Sequence, residues 1–85
     1  MSEIEQCVLA CNDCAGLFRL GRSVEAALNM LEVFETADGL LERNSPAVRH
    51  QWSQLLVEML ACQQSQDWLG LADYMQYELT ELVHS

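Results

Sequence analysis

An all-α fold, an antiparallel bundle of four helices, follows from three features of this 85-residue chain. Apolar residues recur at helical spacing along almost its whole length. The breaks between the periodic stretches are short and carry Gly, Ser or Pro, and no stretch alternates apolar and polar residues as a strand would. Eighty-five residues make one domain, 1–85, which can bury roughly 60% of its unfolded surface without metal or disulfides. A hydrophobic share of 51% supplies the core.

The first helix is read over Ser2 to Leu20. Its apolar positions Ile4, Cys7, Val8, Cys11, Cys14, Ala15 and Phe18 fall on one stripe. Gly21 stands where a C′ glycine takes positive φ at little cost, and Ser23 is expected to cap the next helix through its hydroxyl. If the chain instead runs straight through Gly21, at a cost of about 1 kcal/mol, the bundle has three helices. From Val24 to Arg43 the apolar residues spread over roughly two-thirds of the helical wheel, wider than one seam needs. Either this helix sits centrally, or part of its arc, around Val33 and Leu40, faces a second chain, most simply in a C₂ homodimer.

Ser45-Pro46 predicts the start of the third helix, since Ser is a favoured N-cap and Pro suits the first helical position. Its stripe is Val48, Trp52, Leu55, Leu56, Met59 and Cys62, ending at the polar run Gln63 to Gln66. Ser65 or Asp67 then caps the last helix, Asp67 to His84, in which Leu71, Ala72, Met75, Leu79, Leu82 and Val83 fall within roughly 60° of Trp68. The opposite side carries Gly70, Asp73, Tyr74, Tyr77 and Glu81. Tyrosines flanked by carboxylates offer contact area and negative charge, so Asp73, Tyr74, Tyr77 and Glu81 are the candidate partner-binding residues, with Val33 and Leu40 as a second group.

Thirteen Asp and Glu stand against four Arg, with no Lys, for a formal charge of −9. Such a chain repels phosphate, which argues against nucleic acid and anionic membranes and favours a basic protein partner. Lacking Lys, it has no Schiff-base or P-loop lysine. The acidic start MSEIEQ and the lack of a long apolar run predict a cytoplasmic protein, in which four cysteines are free thiols.

Cys7, Cys11 and Cys14 have the C-x₃-C-x₂-C spacing that radical SAM enzymes place on a loop, but here they sit at i, i+4 and i+7 of a helix. Core packing is the expectation, because cysteine packs like a small hydrophobe. The rival function is a small thiolate metal-binding or redox protein, with Cys62 as fourth ligand if the first and third helices meet. Glu81-x-x-His84 occurs once, at a helix end, and His50 has no triad partner at a telling spacing. No catalytic residue, cofactor or metal site is therefore expected.

The phrase LFRLGRSVEAALNMLEVFE resembles the opening of a tetratricopeptide repeat, yet no 34-residue period follows. QDWLGLADYMQYELTELV, with Gly21 to Glu35 before it, is similar to phrases in small bacterial flagellar export chaperones of the filament-cap class, through Asp67, Trp68, Leu71 and Leu79. That resemblance implies a small acidic helical bundle that shields an aggregation-prone partner helix. The reading is thus a non-enzymatic helical interaction module, an export chaperone or adaptor.

Overall fold

A computed structural model describes residues 2–84. Three long helices, α1 (Glu3–Arg19), α2 (Ser23–Leu41) and α3 (Pro46–Gln64), precede a last helix in three parts. These are α4 (Trp68–Asp73), a π-helical segment (Tyr74–Leu79) and α5 (Thr80–Val83). No strand occurs among the described residues, and the helices pack as an all-α bundle.

The caps set the boundaries. Ser2 Oγ accepts the Glu5 N–H at 3.1 Å and Ser45 Oγ the Val48 N–H at 3.3 Å, with Pro46 in the first turn. Asp67, not Ser65, caps the last helix, accepting the Gly70 N–H at 3.0 Å. The expected Ser23 cap is absent. Arg22 occupies that position without a side-chain cap bond, because the preceding turn is already closed by backbone. There Arg22 N–H bonds to Leu17 O and Gly21 N–H to Phe18 O, with Gly21 at φ +79°, so α1 and α2 are separate helices.

The same device ends α3. Asp67 N–H bonds to Cys62 O at 2.8 Å and Gln66 N–H to Gln63 O at 3.1 Å. Here the left-handed position holds Gln66, at φ 59°. A Cβ is penalised in that region and glycine is not. Gln66→Gly should therefore stabilise the protein by about 0.5–1 kcal/mol, seen as a rise of a few degrees in Tm. An unchanged or lowered Tm would show that Gln66 gains elsewhere what its backbone loses.

The core joins one stripe from each helix: Cys7, Cys11, Cys14 and Phe18 of α1, Ala26, Met30, Val33 and Ala37 of α2, Trp52 and Met59 of α3, and Leu71, Met75 and Leu79 of the last helix. Small residues on the facing stripes of α1 and α2 let those helices pack closely, since interaxial distance follows side-chain size. The last helix packs against both α1 and α3. By contrast α2 and α3 meet sparsely, held by Trp52, whose ring stands edge-on to Phe34 at 6.0 Å and whose N–H donates to Asp38 at 3.0 Å. At the opposite end Phe18 stacks on Trp68 at 5.6 Å.

The π segment is the feature that helical periodicity did not foretell. Thr80 Oγ1 donates to Gln76 O at 2.5 Å and to Tyr77 O at 3.2 Å, taking over the carbonyl that an α-helical Thr80 N–H would use. The widened turn sets residues four apart nearly one above the other. Met75 and Leu79 both point into the core, each with no exposed surface.

Candidate protein-interaction surfaces

The outer side of the last helix is not one face. Asp73 turns toward α1 and pairs with Arg19 at 2.8 Å, where Arg19 also donates to Gln76 at 2.8 Å. Tyr74 leans the other way, half-buried against the core, and the nearby carboxylate of Glu58 on α3 raises its pKa. Tyr77, 60% exposed, stands outward between them. Gly70 serves the cap rather than a partner, because a Cβ there would collide with the Asp67 carboxylate.

Between α3 and the last helix runs a groove of about 500 Å³, floored by Leu55 and Leu82 and walled by Gln51, Gln54, Glu58, Glu78 and Glu81. It offers hydrogen-bond acceptors and negative potential to cationic groups. Among the described residues no histidine, cysteine or serine lines it.

The second expected surface is corrected. Val33 is only 2% exposed and lies in the core, and Leu40 is half-buried against it. They share the side of α2 that carries Ala26, Met30 and Ala37, and small residues bring that side in against α1. The excess of apolar residues on α2 is real, but it points elsewhere. Val24, Leu28 and Leu31 are 77%, 66% and 64% exposed. Their spacing of four and three puts them on one outward stripe. The width of an apolar arc does not say which edge a neighbour covers, and here α1 covers the edge with Val33.

The Leu31 edge of that stripe lies on the side of α2 that carries Phe34 and Asp38, which meet Trp52 of α3. Trp52, Leu56 and Leu60 follow each other at intervals of four, so the ridge that meets Phe34 at Trp52 continues upward to Leu60, which is 42% exposed. Val57, one step further round, is 66% exposed. Glu25 and Glu32, seven apart, edge the α2 stripe, and Glu35 continues its line toward the far end.

The cysteines occupy two places. Cys7, Cys11 and Cys14 have no exposed surface, and Cys14 Sγ donates to Ala26 O at 3.3 Å. The neighbouring Cys7 thiol, then burial, pushes the Cys11 thiol well above the ordinary thiol range. Cys62 is half-buried on α3, which packs on the last helix and α2, and burial with the nearby Asp67 and Glu58 raises its pKa. Among the described residues no group of three or more His, Cys, Asp or Glu is arranged to hold a metal ion.

These shifts have a readable consequence. Burial raises the Cys14 pKa from 9.0 to about 11, and the charge of Glu58 raises that of Tyr74. Both groups are neutral in the fold, so the stability they contribute is complete below their ordinary pKa and lost as pH rises through the folded value. Urea midpoints should hold between pH 7 and about 9 and then fall, Cys14 alone accounting for on the order of 2 kcal/mol by pH 11. In Cys14→Ala that share of the decline should vanish. An equally steep decline in the variant would assign it to other groups.

No helix among the described residues is long and apolar enough to cross a membrane. The chain is thus defined by its architecture, an all-α bundle with an outward apolar stripe and an acidic groove. No protein-family model matches it, nor does any curated protein or solved structure.

Proposed function

We propose that this protein is a non-enzymatic helical interaction module, of the adaptor or export-chaperone kind, that covers an apolar helical segment of a partner protein. One observation carries the reading. Val24, Leu28 and Leu31 are each more than 60% exposed on a helix whose other side is already fully used in the core. Contiguous apolar surface of this kind is unfavourable in water and marks interaction sites. Leu60, on the α3 ridge that meets Phe34 at Trp52, adds exposed apolar surface for one more helix. Four free thiols suit a reducing cytoplasm. The resemblance of the last helix and of Gly21 to Glu35 to flagellar export chaperones agrees with this activity.

The experiment is an aggregation assay on a synthetic amphipathic peptide with a leucine stripe. Equimolar protein should suppress the rise in light scattering. A time course identical with and without protein would remove the proposal.

A further inference from the structure

We infer that the segment seated on the α2 stripe is an amphipathic helix edged with Arg or Lys, from a different protein rather than from a second copy of this one. The inference rests on the interaction-module reading and adds the chemistry of the occupant. In a two-helix seam, residues flanking the apolar positions face their counterparts on the other helix and select it by charge. With Val24, Leu28 and Leu31 as the seam, Glu25 and Glu32 hold one flank, and Glu35 follows Leu31 along the stripe itself. A two-fold axis near Leu28 would set Glu25 against Glu32 of the other copy, carboxylate against carboxylate.

Apart from Arg22, whose exposed guanidinium lies 3.6 Å from Glu25, this chain places no cation along that edge, and Glu32 has none beside it among the described residues. Of its four arginines, Arg19 pairs with Asp73, Arg43 with Glu3 and Arg22 with Glu25, and all three lie at helix ends. Arg49 is in the first turn of α3, beside the other turn of the bundle. A lysine- or arginine-edged helix would meet Glu25, Glu32 and Glu35 while its leucines cover Val24, Leu28 and Leu31. The net charge of −9 would also speed its arrival.

The test uses two synthetic helices of about 20 residues with one leucine stripe, edged by lysine in the first and by glutamate in the second. Fluorescence anisotropy at physiological salt should give the lysine peptide an affinity higher by about tenfold. Glu25→Lys with Glu32→Lys should reverse that preference. Glu58→Lys with Glu78→Lys, which changes net charge equally but in the α3 groove, should keep it. Circular dichroism melts confirm that each variant is folded.

Equal affinities for the two peptides would overturn the charge inference and leave the interaction module standing, whereas no binding of either would remove both. A preference reversed by the groove variant instead would move the site to the α3 groove. Sedimentation of the wild type as a dimer that Leu28→Glu dissociates would make the occupant a second copy and contradict the inference.

Discussion

Replacing Trp52 with alanine is expected to lower the unfolding free energy by about 3–5 kcal/mol, a large part of what an 85-residue domain has. The side chain is 3% exposed, and its ring meets Phe34 edge-on across the sparse α2–α3 interface. Its indole N–H also satisfies Asp38, so truncation removes buried area, an aromatic pair and a hydrogen bond together. Trp52→Phe keeps most of the area and loses the bond, which should cost about 1 kcal/mol. Urea unfolding followed by circular dichroism measures both. A loss below about 1 kcal/mol in Trp52→Ala would mean that α2 and α3 are held by something other than this residue.

Leu28→Ala combined with Leu31→Ala should do the reverse, leaving stability almost untouched while removing partner capture. Both side chains are about two-thirds exposed, so truncation loses little in the free protein. Buried under a partner helix each would contribute about 1.5–3 kcal/mol, and losing both corresponds to roughly a hundredfold or more in Kd. In the aggregation assay the double variant should behave like buffer. A fall in Tm of ten degrees or more, a drop of well over 1 kcal/mol, would instead place these leucines in the fold.

Much of the fold was legible because each helix declares itself locally. Ser45-Pro46 and Gly21 punctuate the chain through chemistry that acts within a few residues, and both turns lie where they were expected. The core stripe of the last helix was also readable, from Leu71 to Val83. The π segment was not, because one widened turn leaves the apolar spacing of the last helix almost unchanged.

The candidate site was less legible than the fold. Asp73 and Tyr74 are neighbours in sequence on a polar helix side, yet Arg19 from α1 claims one and Glu58 from α3 the other. Long-range partners of this kind leave no trace in local periodicity. Val33 and Leu40 were misplaced for a similar reason, since the depth of the α1–α2 contact comes from cysteine and alanine pairing across two helices. The signal that could have found the stripe was the heptad spacing of Val24, Leu28 and Leu31, apart from the stripe of Ala26, Met30, Val33 and Ala37.

The most direct test is a backbone amide chemical-shift map of the protein titrated with the lysine-edged peptide. The largest changes should fall on Val24 to Glu35 of α2 and on Leu56 to Leu60 of α3, with the last helix nearly silent. A map centred instead on Tyr74 to Leu82, or spread evenly over the acidic surface, would contradict a helix seated on the α2 stripe.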